Sequence, residues 1–161
     1  DLSRIGVTGH SFGGSTAALI AKKDRRVKAV SLIDGWMNPL PENVIRNGID
    51  QPFLYMGRPS WIDSDYPSSP SISDIMHQNN PGPSYHVTVK NTRHLNFCDA
   101  PLFSPIGKYL IEIGGIDRKR SVELVNQLSL EFFDQYLREK RSPILNDSIS
   151  VSEFIFSNNY K

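Results

Sequence analysis

A serine between two glycines follows an apolar segment near the start of the chain. Residues 9–13 read Gly-His-Ser-Phe-Gly, which fits the pattern G-x-S-x-G of a sharp turn between a strand and a helix. The flanking glycines are expected to relieve crowding in this turn, and Gly14 leaves room for close helix packing. Such a turn lifts the Ser11 hydroxyl out of the sheet and predicts a nucleophile. It also directs the backbone N–H of Phe12, at the helix N-terminus, toward a developing oxyanion.

A serine nucleophile needs an imidazole base, and the chain contains four histidines. His94 is the predicted base, because it follows the fourth predicted strand in a loop that can reach back to the serine. His77, in a predicted helix before that strand, is the main alternative. His10 is adjacent to the nucleophile, which favours a packing or supporting role, and His86 lies within a strand. For His94 itself, the alternative is an ordinary exposed loop imidazole.

The base in turn needs an orienting carboxylate, and two places can supply one. Asp34 ends the second predicted strand, whereas Asp63 and Asp65 follow the third. Both loops leave the carboxyl edge of a parallel sheet, where ligands bind. We favour Asp34 because a strand tip holds a side chain more rigidly than a Pro/Ser-rich loop does. A turn-forming role before Gly35 is the alternative for this residue.

Short apolar strands alternate with helical segments along the chain. Strands are predicted at 5–8, 27–33, 52–56 and 85–89, and helices at 13–23, 71–78, 106–113 and 120–140. The Pro/Ser-rich segment 57–83 is predicted to be a long loop or insertion around its short helix. Apolar alternation after residue 146 indicates a loose strand or a frayed end. This order of elements predicts the α/β class, with a parallel sheet and right-handed crossovers.

The first predicted strand suggests that the sheet extends beyond this sequence. A strand that carries a nucleophile is expected in mid-sheet, yet nothing precedes residue 5 that could pair with its other edge. We therefore expect the C-terminal half of a doubly wound, mostly parallel sheet of about four strands with flanking helices, with the N-terminal half missing. Residues 1–145 would form this partial domain, and 146–161 a tail.

Composition and charge exclude several classes of protein. Eighteen basic and seventeen acidic residues give a net charge of +1, which leaves no basic field for nucleic acid. No apolar run approaches the length of a membrane span, and the single Cys98 cannot form an internal disulfide. The scattered histidines show no metal-ligand spacing, so no metal or other cofactor is predicted. The sequence decides neither the cellular compartment nor the oligomeric state.

Four segments together resemble the platelet-activating factor acetylhydrolases, the lipoprotein-associated phospholipase A2 group of the α/β-hydrolase fold. They are residues 1–14, 32–40, 94–99 and 129–137. The Asp-x-Trp-Met run that begins at Asp34 is the more specific sign, and the spacing of 23 residues from Ser11 to Asp34 also fits. The resemblance implies Ser11 as nucleophile, Asp34 as acid and His94 as base, with the Phe12 N–H in the oxyanion hole.

The function implied by the resemblance is calcium-independent hydrolysis of carboxylic esters. Short or oxidised acyl phospholipids would be the substrates, and contact with a lipid surface would be peripheral. Trp36 and Met37, beside the acid, are expected either to line the acyl pocket or to pack in the core. One alternative is a general or cutinase-like esterase, or a peptidase, of the same fold. Another is an inactive fragment that binds lipid or a partner.

Overall fold

The computed structural model describes residues 1–61, 64–103, 106, 112–146 and 149–158. Within these ranges, five strands form one sheet in the order β1-β2-β3-β4-β5. The strands are β1 Ile5–His10, β2 Val27–Ile33, β3 Phe53–Gly57, β4 Ser84–Val89 and β5 Phe154–Asn158. The helices are α1 Phe12–Lys23, α2 Glu42–Asn47, α3 Ser69–Asn79, α4 Ala100–Phe103 and α5 Arg118–Arg138, together with a 3-10 helix at His94–Phe97.

The sheet is mostly parallel, which confirms the predicted α/β class. Strands β1 to β4 pair in parallel, whereas β5 runs antiparallel to β4. In this register, Ile33 lies between His10 of β1 and Met56 of β3. The first three strands therefore end level with one another, and the residues that follow them meet at the carboxyl edge of the sheet.

The fifth strand comes from the end of the chain, where the sequence predicted either a loose strand or a frayed end. Phe154 pairs with Val89, and Phe156 pairs with Val87. Phe154 is buried against the face of the sheet that α5 covers. The strand forms because β4 offers a free edge and α5 offers an apolar surface, and neither is local to this segment.

Helices cover both faces of the sheet and bury most residues of its central strands. Every residue of β3 is buried, with Phe53 and Tyr55 facing α1, α2 and α3. Leu54 and Met56 face α5 on the opposite side. Burial on both faces explains why these strands read as unbroken apolar runs in the sequence.

Two helices differ from prediction mainly at their ends. Helix α5 begins at Arg118 rather than at 120, because the Asp117 side chain accepts a hydrogen bond from the Arg120 N–H at 2.9 Å and caps the helix. Helix α3 extends over 69–79, so it fills much of the segment that was predicted as a long loop. The helix predicted at 106–113 lies largely outside the described residues.

Two histidines, the buried His77 of α3 and the half-buried His86 of β4, lie close together with 5.9 Å between ring centroids. His77 is 4% exposed, and its Nδ1 lies 2.6 Å from the Ser84 hydroxyl. His86 stacks on Tyr55 with 4.8 Å between ring centroids. Burial lowers the pKa of both histidines, and that of His77 falls from 6.5 to about 4.

We predict that His77 makes the fold sensitive to acid. Because the pKa of His77 is lower in the folded state, the unfolded chain binds the proton first, and stability falls as the pH drops below 6.5. The loss from this residue is about 3 kcal/mol at about pH 4. In His77→Gln, the free energy of unfolding from urea titrations should therefore fall less between neutral and acidic pH. Parallel pH dependence in variant and wild type would contradict this.

Candidate active site

Ser11 occupies a strained turn between β1 and α1. Its backbone angles are φ 57° and ψ −124°, in a region that a non-glycine residue rarely adopts. The Ser11 N–H donates to the Ile33 carbonyl at 3.1 Å, and its carbonyl accepts from the N–H groups of Gly14 and Trp36, both at 2.9 Å. These bonds satisfy the backbone N–H and carbonyl of Ser11 and join the turn to the end of β2. Such strain persists only where the surroundings enforce it.

Two glycines near this turn are required by close backbone contacts. A Cβ on Gly9 would lie 2.0 Å from the carbonyl oxygen of Gly13, and one on Gly14 would lie 2.8 Å from the Gly35 Cα. A Cβ on Gly13, by contrast, would meet no heavy atom of the described residues within 4 Å, apart from the backbone of its own helix. The expected relief of crowding therefore comes from Gly9 and Gly14, and the role expected of Gly13 is corrected.

The structure brings together the three side chains that the sequence singled out. His94 opens the 3-10 helix that follows β4, and its Nε2 lies 3.0 Å from the Ser11 Oγ. Its Nδ1 lies 2.6 Å from the Asp34 Oδ2. Because a carboxylate can only accept, Nδ1 carries the proton and Nε2 is left to accept from the serine hydroxyl.

Asp34 is held through its backbone N–H and through both of its carboxylate oxygens. The residue is completely buried, with φ 42°, and its N–H donates to the Met56 carbonyl at 2.6 Å. Its Oδ1 accepts from the Arg58 N–H at 3.0 Å, while Oδ2 accepts from His94. Of the alternative acids, Asp65 is exposed on the cavity wall, and Asp63 lies outside the described residues.

The other histidines lie in different surroundings. His10 stacks on His94 with 4.5 Å between centroids, and its Nε2 lies 3.3 Å from the His94 carbonyl oxygen. Burial, and next the charge of His94, lower the pKa of His10, so this ring stays neutral beside the base. His77, the alternative base, contacts Ser84 and Ser157 rather than Ser11. His86 faces Tyr55 and Ser73.

A cavity of about 320 Å³ opens over the serine. Its lining comprises Ser11, Trp36, Arg58, Trp61, Ser64, Asp65, Tyr66, His94 and Glu112. The ring of Trp36 packs against those of Tyr66 and Phe12, with 4.3 and 5.8 Å between ring centroids. Met37 does not line this cavity, because it is completely buried in the core and its N–H donates to the Ser69 hydroxyl. The acyl-pocket interpretation therefore applies to Trp36 alone.

Two charged residues of the site were missed by the sequence analysis. The Arg58 side chain is 5% exposed and lies 2.7 Å from Glu112, with its Nε 3.4 Å from the Asp34 Oδ2. Its guanidinium carbon stacks 3.9 Å over the ring of Trp61. Arg58 directly follows β3 and so lies at the same edge of the sheet as Asp34, and this position could have identified it as a site residue. Nothing local in the sequence marks Glu112, which lies 54 residues further along the chain.

Two other features are absent from the described residues. No group of three or more His, Cys, Asp or Glu side chains lies close enough to hold a metal ion there. In the same part of the chain, no helix combines the length and apolar character needed to cross a bilayer.

The sheet and its carboxyl edge define the class of protein. A serine on a turn between a strand and a helix, followed by an aspartate and a histidine after later strands, is the arrangement of the α/β-hydrolase fold. The family model for platelet-activating factor acetylhydrolase, isoform II, matches residues 1–150. The chain belongs to this family, which confirms the resemblance found in the sequence.

Individual relatives agree with this assignment. The chain is 29% identical to platelet-activating factor acetylhydrolase of Gallus gallus over 88% of its length, and 32% identical to that of Cavia porcellus over 85%. It spans about a third of these curated relatives, 33% and 31% of their lengths. A ferulic acid esterase from Streptomyces cinnamoneus superposes with a TM-score of 0.79 at 27% identity, covering 97% of this chain and 47% of that one.

We predict that alanine is tolerated at one glycine of the turn and not at the other. Gly9→Ala should lower the free energy of unfolding by more than about 3 kcal/mol, because its Cβ collides with backbone that cannot move. Gly13→Ala should change it by no more than about 1 kcal/mol, because alanine suits a helix and meets open space. Urea unfolding of the full-length variants measures both, and equal losses would contradict the structure.

Proposed function

We propose that this chain carries the serine, histidine and aspartate of a serine-dependent carboxylic-ester hydrolase. The observation that carries the proposal is the unbroken contact from Ser11 Oγ through His94 to Asp34, with distances of 3.0 and 2.6 Å. Both distances are within the range for direct proton transfer and for orientation of the base. Membership of the acetylhydrolase family supports the same assignment.

The proposed reaction proceeds in two halves. In the first, His94 Nε2 takes the proton of the Ser11 hydroxyl while Oγ bonds to the acyl carbon, and the carbonyl oxygen becomes an oxyanion. Collapse of this tetrahedral intermediate breaks the ester bond, and the imidazolium returns the proton to the departing alcohol. In the second half, water gives a proton to His94, attacks the acyl-enzyme and releases the acid, and Ser11 recovers its proton.

The surroundings of Ser11 fit the charge changes of this reaction. Phe12 is the first residue of α1, so its N–H lies at the positive end of the helix and is the proposed oxyanion donor. The buried Asp34 carboxylate stabilises the imidazolium that forms on His94. These groups supply the nucleophile, the base and the charge stabilisation, and the proposed steps do not call on Ca²⁺.

Short or oxidised acyl chains of phospholipids are the proposed substrates. The relatives are named platelet-activating factor acetylhydrolases, which indicates a small acyl group. The cavity over Ser11, about 320 Å³, is near the lower end of the range for ligand sites, roughly 300–1,000 Å³. A cavity of this size favours a short acyl group over a long one.

An esterase for aromatic esters is the second candidate. Three aromatic side chains, Trp36, Trp61 and Tyr66, line the cavity and offer flat surfaces for a ring. The structural relative from Streptomyces cinnamoneus is named a ferulic acid esterase. Comparison of methyl ferulate with a short-acyl phospholipid separates the two candidates, because the preferred substrate has the higher kcat/KM.

We predict that Ser11→Ala abolishes ester hydrolysis and labelling by a fluorophosphonate. The full-length wild-type protein should be labelled and should hydrolyse a short-acyl phospholipid in the presence of EDTA. The kcat/KM of the wild-type protein for the short-acyl phospholipid should exceed its kcat/KM for the long-acyl analogue by about tenfold or more. Ser11→Ala should lower kcat by at least about a thousandfold.

Ser3→Ala is the matched control. Ser3 is exposed just before β1 and does not line the cavity, so the substitution removes a serine hydroxyl away from the site. Wild-type protein that is neither labelled nor active on any ester would overturn the proposal. That result would favour the inactive, lipid- or partner-binding alternative.

A further inference from the structure

A second charged pair lies next to the Asp34 carboxylate, and the reaction proposed above does not use it. Arg58 Nη1 donates to Glu112 Oε1 at 2.7 Å. Arg58 Nε lies 3.4 Å from Asp34 Oδ2, an ion-pair distance, and forms no hydrogen bond with any of the described residues. The guanidinium is thus placed between two carboxylates in a site where its side chain is only 5% exposed. Charges this deeply buried are stable only when they are paired.

The contacts of this pair close a ring around the proposed acid and base. The Arg58 N–H donates to Asp34 Oδ1 at 3.0 Å, and the Arg58 guanidinium donates to Glu112. The carbonyl of Glu112 accepts from the N–H of Leu95 at 2.9 Å. Leu95 directly follows His94, whose Nδ1 returns to Asp34. Each of the four segments in the ring is therefore held by the next one.

Two further contacts make this ring rigid. The face of Trp61 covers the guanidinium of Arg58 at 3.9 Å and excludes water from that side. The buried Asn96 Oδ1 accepts from the N–H of Gly114 at 2.6 Å and from that of Arg93 at 2.8 Å. The segment that carries Glu112 is thus fastened to the turn of His94 at a second point.

We propose that Arg58 and Glu112 are positioning residues that fix the Asp34–His94 pair. The proposal rests on the function proposed above and deepens it. A carboxylate with one partner can rotate about its Cβ–Cγ bond. The backbone N–H of Arg58 holds Oδ1 of Asp34, and the charge of the Arg58 guanidinium, 3.4 Å away, holds Oδ2, so the side chain contributes to positioning through its charge. Glu112 balances the charge of Arg58, so that Asp34 keeps its negative charge available to the imidazolium on His94.

The alternative role for Arg58 is direct binding of an anionic part of the substrate. Arg58 does line the cavity, but two carboxylates already compensate its charge and its side chain is nearly inaccessible. The two roles differ in kinetics. Loss of a positioning residue lowers kcat, whereas loss of a binding group raises KM and leaves kcat unchanged.

Kinetics of Arg58→Met and Glu112→Gln in the full-length protein test the proposal. Arg58→Met should lower kcat by about tenfold or more, with KM changed less than about twofold. The acid limb of its pH–rate profile should move to higher pH, because a cation beside His94 is lost. Glu112→Gln removes an anion, so its acid limb should move to lower pH. Among the described residues, the charged and titratable groups that face His94 are His10 on β1, Asp34 after β2, and Arg58, Asp65 and Glu112 around the cavity.

Opposite shifts from the two variants are a result that a merely structural role would not produce. Arg58→Lys keeps the charge without the fork of donors, so it should restore the pH profile and leave kcat low. Arg26→Met is the control, because it breaks an ion pair of the same length, 2.7 Å with Asp24, at the opposite edge of the sheet. It should leave kcat, KM and the pH profile unchanged.

A proton NMR measurement separates failure of this proposal from failure of the proposed function. The far-downfield signal of the His94 Nδ1–H should be present in wild type and in Ser11→Ala, and should shift or broaden in Arg58→Met. If Arg58→Met does not fold, Glu112→Gln provides the test, because the Glu112 side chain is 42% exposed and its substitution should be tolerated.

If Arg58→Met and Glu112→Gln both match Arg26→Met in the His94 signal and in kinetics, the positioning role is overturned and the proposed ester hydrolysis is unaffected. A raised KM with unchanged kcat would overturn it in favour of anion binding. If the protein hydrolyses no ester, yet Arg58→Met shows the predicted shift or broadening of the His94 signal, the proposed function is refuted and the positioning role stands.

Discussion

The structure at the carboxyl edge of the sheet depends on one buried carboxylate, that of Asp34. A carboxylate removed from water is very costly unless hydrogen bonds and opposite charge replace its hydration. Here Arg58 supplies a backbone N–H and a nearby guanidinium, and His94 supplies an imidazole. These partners come from loops after different strands, so the sheet must be formed before the charge can be satisfied. The contacts that satisfy the Asp34 carboxylate therefore also orient His94.

Backbone strain is concentrated in the same place. Ser11 and Asp34 both have positive φ angles, 57° and 42°, although neither is glycine. The bonds from Ser11 to Ile33 and Trp36 enclose Asp34, so the two strained turns hold each other. Strain of this kind costs of order 1–3 kcal/mol per residue and persists where packing over-determines the backbone. The close approach of Gly14 to Gly35 provides that packing, because a side chain at Gly14 would push the turns apart.

Features that are local in the sequence were predictable, and features that depend on distant contacts were not. The turn around Ser11, the tip of β2 at Asp34 and the central strands are encoded by short patterns, and the structure contains them. The burial of Met37 was left undecided because neighbouring residues in a turn follow no periodic rule. The pairing of β5 with β4, and of Arg58 with Glu112, requires segments that meet only after folding. The same limit applies to Gly13, whose surroundings no spacing could reveal.

A double-mutant cycle decides whether Ser11, His94 and Asp34 act as one chemical unit. We expect His94→Ala and Asp34→Asn each to lower kcat/KM for a short-acyl ester by at least about a thousandfold. The double variant should then be little worse than His94→Ala alone, because an aspartate that acts only through the histidine has no effect once that histidine is gone. Losses that multiply in the double variant would show two independent roles and would contradict the account.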